Sequence, residues 1–291
     1  LAQGLPLGGG DEVVFSRLNH PSASEPWNYY AGRRGYTVRR FDIPLDDVTG
    51  LTVADVVQLH EREIRPETKV LVFPHVDNIV GLRHPTRELV AMAKRRGVPF
   101  VAVDIAQSLG MMPVNVAAED ADFYAASPHK WVQAPKGLGF LVVRRRVQQQ
   151  LDPLWVKRQR STMPKTAEVF EDYSTRNLPA VLALADAIAF QQKLGESGKE
   201  ARLLEIAGWF RERVEATPGL AWRSARLREL SSSLFGVGLR KGDARDVERR
   251  LAATHDIMVR PFAPPLNLLR VSPNLINTRA DADRFIAAVN G

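Results

Sequence analysis

The chain's architecture is written most plainly in the stretch VPFVAVDIAQSLGMMPVNVAAEDADFYAASPHKWVQAPKGLGFLVV, residues 98–143. It carries three short apolar runs, Val98–Asp104, Asp122–Ala126 and Gly139–Val143, whose length and side-chain types read as β-strands. The first run closes on an acid, Asp104, and the second is followed at once by Ser127, His129 and Lys130. Upstream the same rhythm continues. Glu12–Leu18, Thr37–Phe41 and Lys69–Phe73 read as strands, separated by helical stretches from about Glu25, over Val53–Ile64 and over Thr86–Arg96. In the last of these Leu89, Val90 and Ala93 share one face, and Gly97 marks the end. Strand and helix in alternation predict an α/β sheet covered by helices on both faces.

Downstream of Arg146 the pattern changes to a connection bearing Pro, Lys and Thr, then long helices over Leu178–Leu194 and Lys199–Ala216. The tail reads as strands at Ser233–Leu239, Ile257–Arg260 and Leu268–Ser272, with helices at Asp243–His255 and Ala280–Val289. The expected organisation is a large domain over residues 1–177, then a long connecting helix and a smaller α+β domain over residues 178–291.

Composition removes several classes of function. The 291 residues contain no Cys, which excludes disulfides, thiolate metal sites and a cysteine nucleophile on this chain. Its 40 Lys and Arg against 33 Asp and Glu give a net charge of +7, but the basic residues are scattered pairs with acids between them, so no nucleic-acid partner is expected. No apolar run reaches the roughly 20 residues that cross a bilayer, and no membrane partner is expected. Leu1–Gly10 lacks the pattern of a secretory signal, and the expected compartment is the cytoplasm. The P-loop, dinucleotide, nucleophile-elbow and zincin motifs are absent. His75, Asp77, His84 and Glu88 have loop spacing interrupted by Pro85, a weak basis for a metal site, and no metal is expected.

The informative feature is what stands at the strand ends, because ligands of open α/β sheets collect beyond the carboxyl ends of the strands. His20 follows the first strand, Asn78 the third, Asp104 ends the fourth, and Ser127, His129 and Lys130 follow the fifth. Each has an ordinary explanation alone: a cap, a turn, a solvated amine. Together, an amine and a carboxylate at neighbouring strand ends match what pyridoxal phosphate requires, an amine to join its aldehyde and an acid to keep its ring nitrogen protonated. Lysine is also scarce here, nine against thirty-one arginines.

VDIAQSLG at 103–110 and DADFYAASPHKWVQAPKGLGFLVV at 120–143 resemble the class V aminotransferase family of fold-type I pyridoxal-phosphate enzymes. NHPS at 19–22, VDNIVG at 76–81, YST at 173–175 and LRVSPNLINT at 269–278 extend the resemblance from about residue 11 to the C-terminus. It implies that Lys130 carries the cofactor as an internal aldimine, Asp104 pairs with the ring nitrogen, His20 stacks on the ring and Gln107 bonds the ring hydroxyl. Ser127 and His129 would bind the phosphate, with Thr175 reaching a phosphate across a homodimer interface. Arg270, assisted by Asn78, would hold the carboxylate of a small amino-acid or amine substrate.

Three departures qualify what the resemblance implies. The family's N-terminal segment, with its phosphate-binding loop and the start of the large-domain sheet, does not stand before Leu1 in this sequence, so either a fragment or a second chain supplying those contacts is expected. The loop at His255–Leu268, where the family's desulfurases carry their nucleophile, has no Cys, so persulfide desulfuration is not expected. Ser174 stands where the family has Gly. SPHKWVQAP looks most like the isopenicillin N epimerase-like group, and transamination, β-elimination and epimerisation all remain open. The alternative is a truncated or degenerate member without catalytic activity.

Overall fold

The computed structural model describes residues 1–156, 166–171 and 175–291. In chain order its elements are β1 (Glu12–Ser16), α1 (Pro21–Arg34), β2 (Thr37–Phe41), α2 (Val53–Glu61), β3 (Thr68–Pro74), α3 (Thr86–Arg95), β4 (Phe100–Asp104), α4 (Val116–Glu119), β5 (Phe123–Ala126) and β6 (Phe140–Val143). Then follow α5 (Leu178–Leu194), α6 (Glu196–Glu215), β7 (Leu220–Trp222), β8 (Phe235–Leu239), α7 (Ala244–His255), β9 (Arg260–Phe262), β10 (Leu268–Val271) and α8 (Arg279–Asn290).

Among the described residues the first sheet has the order β2-β1-β3-β4-β5-β6, with β1 to β5 parallel and β6 antiparallel to β5. The inner strands β1, β3 and β4 are apolar along nearly their whole length because both faces are covered, whereas β2, at the edge, carries exposed or half-exposed Thr37, Arg39 and Arg40. One face packs on α2 and α3 through Val56, Leu89, Val90 and Ala93; the other packs on α1 and the N-terminal residues through Trp27, Leu5 and Leu7. The chain leaves β1 towards β2 and returns to β3 on β1's other side, so the order reverses between β1 and β3. A ligand crevice opens at such a reversal.

Downstream, β7-β8-β10-β9 form an antiparallel sheet covered by α6, α7 and α8, with Phe210, Phe235 and Phe285 at the centre of a separate apolar core. The expected α/β class with a smaller α+β unit is therefore observed. Several local expectations shift. Helix α1 begins at Pro21, not near Glu25: the His20 side chain accepts from the Ser22 N–H and Pro sits in the first turn, both helix-start signals. Helix α6 begins at Glu196 rather than Lys199, and the strand expected at 257–260 lies at Arg260–Phe262. β7 escaped notice because three residues show no periodicity.

Candidate active site

Asp104 ends β4, and its backbone is fixed from both sides. The His75 N–H donates to the Asp104 carbonyl at 2.8 Å, and the Ile105 N–H donates to the Ala125 carbonyl of β5 at 2.8 Å. The Asp104 Oδ1 accepts from the Ala106 N–H at 2.8 Å, which orients the carboxylate at the strand end. One strand over, Lys130 lies on a turn in which the Gln133 N–H donates to the Lys130 carbonyl at 3.2 Å. His20 stands at the N-terminus of α1, its Nδ1 taken by the Ser22 N–H at 3.2 Å and the Ser22 hydroxyl at 2.7 Å.

These groups meet in a cavity of about 600 Å³ at the carboxyl ends of β4 and β5, lined by His20, Asp104, Ser127, His129 and Lys130 together with Trp27. That is the size and mix of apolar wall and few polar groups typical of a cofactor site. Burial, followed by the repulsion of Arg270, lowers the Lys130 amine, while Asp104 pulls it back up. The effect enlarges the neutral, nucleophilic fraction of the amine near neutral pH. Burial also lowers His20, reinforced by the charges of Lys130 and Arg270 and opposed by Asp104. His20 therefore feels the charges of Lys130, Asp104 and Arg270, and Lys130 those of Asp104 and Arg270.

The remaining expected residues fall in three places. Gln107 is half-buried beside the Lys130 turn, where its Oε1 accepts from the Trp131 indole at 3.1 Å. Asn78 and Arg270 meet each other: the Arg270 Nη1 donates to the Asn78 carbonyl at 3.0 Å, while its Nε is buried with no partner among the described residues. Arg270 lies on an inner strand of the small sheet, opposite Arg260 of β9. Thr175 is exposed and does not line the cavity. Tyr173 and Ser174 lie outside the described residues.

The turn that carries Asn78 is built by Asp77. Its carboxylate is fully buried and accepts from the N–H groups of Ile79 (2.7 Å), Val80 (2.8 Å) and Leu82 (2.5 Å). Burial pushes Asp77 up to about 6 despite these donors. With both oxygens committed to backbone, Asp77 is a structural acid, which removes it from the metal reading. His75 and His84 are fully buried beside it, and the cluster is a packed interior.

Sequence reasoning missed two neighbours of the Lys130 turn, Gln191 and Lys199. Both are buried on helices α5 and α6, and both bond the backbone that follows Lys130. A polar residue on a helix is ordinarily solvent-facing, and no local signal distinguished these.

The donor set fits pyridoxal phosphate: a half-buried amine of lowered pKa, a carboxylate held at a strand end, hydroxyl and imidazole groups on the same wall, and an unpartnered guanidinium nitrogen nearby. Comparison with known proteins agrees. An isopenicillin N epimerase from Amycolatopsis lactamdurans is 31% identical over 306 residues, covering 97% of this chain and 74% of that protein. A cysteine desulfurase from Escherichia coli O8 is 27% identical, covering 96% of this chain and 70% of that one. Among solved structures the cystine C-S lyase C-DES superposes with a TM-score of 0.87 at 20% identity, covering 99% of this chain and 77% of the other, which shows a shared fold. The family model for Aminotransferase class-V matches residues 1–285. The chain belongs to the class V aminotransferase family, enzymes of fold type I whose cofactor is pyridoxal phosphate.

Proposed function

We propose that this protein moves the Cα proton of an amino acid or amine, with Lys130 as the residue that both holds the cofactor and carries the proton. The observation that carries the reading is the convergence of the Lys130 amine, the Asp104 carboxylate and the His20 ring on one cavity at the end of the parallel sheet. When bound, pyridoxal phosphate supplies the electron sink that acidifies the substrate Cα–H.

The chain's own groups then have distinct tasks. The Asp104 carboxylate would hold a proton at the ring nitrogen, His20 would lie against the ring, and the Gln107 amide would serve the ring hydroxyl. Ser127 and His129 offer a hydroxyl and an imidazole to the phosphate, and Thr175 reaches that group from a second copy. Arg270 supplies a forked guanidinium that matches a substrate carboxylate, with Asn78 beside it. Lys130, with its lowered pKa, is suited to take and return a proton at Cα.

Epimerisation is the reaction to test first, because the epimerase relative is 31% identical against 27% for the desulfurase at nearly equal coverage of the chain. Transamination and β-elimination share the same proton transfer. A desulfurase activity is disfavoured, since the 291 residues hold no thiol to receive the sulfur. A homodimer is supported by helix α5, whose Leu178, Leu182, Ile188 and Phe190 are exposed together with Trp155, an apolar surface suited to a second copy. The test is to incubate the protein and pyridoxal phosphate with each standard L-amino acid in D2O. Deuterium at Cα with appearance of the D-enantiomer supports epimerisation, and a keto acid supports transamination. Absence of exchange with every amino acid and amine tried contradicts the reading and favours the catalytically silent alternative.

A further inference from the structure

Lys199 of α6 is 5% exposed and lies beside the apolar cluster of Val76, Met111, Trp131 and Leu203. A methionine would fill that space, so a buried ammonium calls for an explanation. Among the described residues its Nζ meets no carboxylate. It donates to the Trp131 carbonyl at 3.0 Å and to the Gln191 Oε1 at 2.5 Å. Gln191 of α5, itself buried, donates from Nε2 to the Val132 carbonyl at 3.2 Å and to the Gln133 Oε1 at 3.3 Å. Two side chains on successive helices thus grip the three residues that follow Lys130.

The gripped segment needs holding. Gln133 has φ +64°, a left-handed conformation that a non-glycine residue keeps only where its surroundings impose it. From the other side the turn is backed by Gly110, φ +81°, where a Cβ would stand 2.7 Å from the Val132 nitrogen and 2.9 Å from the Trp131 oxygen. The Trp131 indole is anchored on Gln107. The turn is therefore clamped between the segment after β4 and helices α5 and α6, with Lys130 as its first residue.

We propose that Lys199, acting through Gln191 and the carbonyls of Trp131 and Val132, is a positioning residue that aims the Lys130 amine into the cofactor cavity. The proposal rests on the reading of Lys130 as the cofactor lysine. Burial lowers the Lys199 amine as well, in line with a site that holds it for its bonds to carbonyls and amide and not for a salt bridge.

The test uses pyridoxal phosphate itself as the probe. Its visible band on joining Lys130 is followed over time and over pH in the wild type, in Lys199→Met and in Gln191→Leu, and borohydride trapping with peptide mapping confirms the labelled residue. In Lys199→Met the rate of adduct formation at Lys130 should fall about 10- to 100-fold, the size of effect that a small misplacement produces. The pH midpoint of the band should move by about half a unit or more, because the amine's surroundings change. Gln191→Leu should move both in the same direction by less. If Lys199→Met does not fold, Gln191→Leu decides the question alone. Wild-type rate and midpoint in a folded variant that has merely lost thermal stability would overturn the positioning role and leave the function of Lys130 standing. No adduct at Lys130 in the wild type would overturn both, and that control separates the two failures.

Discussion

Arg270 of β10 donates from Nη1 to the carbonyl of Asn78, 192 residues earlier in the chain, at 3.0 Å. The bond joins the small sheet to the turn after β3 and fixes one arm of the guanidinium while the Nε remains buried and unpartnered among the described residues. A carboxylate placed there would satisfy a donor that is otherwise costly to bury.

Arg270→Leu should therefore weaken binding of amino acids and not of amines without a carboxylate. A charged hydrogen-bonded pair contributes about 1.5–3 kcal/mol, which is roughly 10- to 150-fold in affinity. Titrating the cofactor band with L-alanine and with ethylamine in both proteins measures the difference. An equal loss for both ligands would remove Arg270 from carboxylate recognition.

Asp104→Asn keeps an oxygen for the Ala106 N–H, so the fold and cofactor binding should survive. An amide holds no proton at the ring nitrogen. Cα-proton exchange should fall by about 100-fold or more, as expected when an acid–base partner is lost. Exchange at the wild-type rate would assign that role to another group.

Gly81→Ala tests how the two sheets are joined. Gly81 has φ +68°, and a Cβ there would stand 1.7 Å from the Leu234 carbonyl oxygen, in the contact where the Ser232 hydroxyl donates to the Gly81 carbonyl at 2.8 Å. Gly97 has a similar φ of +76° but open space around it. Gly97→Ala should cost about 1–2 kcal/mol, the strain of a left-handed residue, and Gly81→Ala at least about 3 kcal/mol. Equal losses in denaturant melts would show that this contact adds nothing.

Acid should destabilise the protein through buried histidines. Burial lowers His60 to about 4 and His75 to about 3, the latter also repelled by Arg83, and His84 is lowered too by burial and by its two histidine neighbours. The folded state binds fewer protons than the unfolded chain between these values and about 6.5, so stability falls as pH drops through that window. Asp77, raised by burial, acts in the opposite sense and offsets part of the loss. His60→Phe should reduce the slope of stability between pH 4 and 6.5 by about 1.4 kcal/mol per pH unit, one proton's worth. An unchanged slope would mean that His60 is protonated in the fold.

Much of this was legible in the sequence because parallel strands buried on both faces are apolar runs, and because a strand end followed by a polar residue marks the crevice. Leu89, Val90 and Ala93 share the buried face that their spacing indicates. His20, Asp104, Ser127, His129 and Lys130 converge as their places after β1, β4 and β5 imply. What stayed hidden depends on distance along the chain. Gln191 and Lys199 bond carbonyls 59 and 68 residues away, and a carbonyl has no sequence signature. Asp77, a weak ligand candidate by its loop spacing, caps its own turn, because a side chain's partners are decided by burial that spacing does not reveal.

Whether Lys130 is the cofactor lysine is open to a direct measurement. The protein is incubated with pyridoxal phosphate, reduced with borohydride, digested and mapped by mass spectrometry. A visible band before reduction and a single stoichiometric pyridoxyl adduct on Lys130, lost in Lys130→Ala, are expected. An adduct scattered over surface lysines, or the same band in Lys130→Ala, would contradict it.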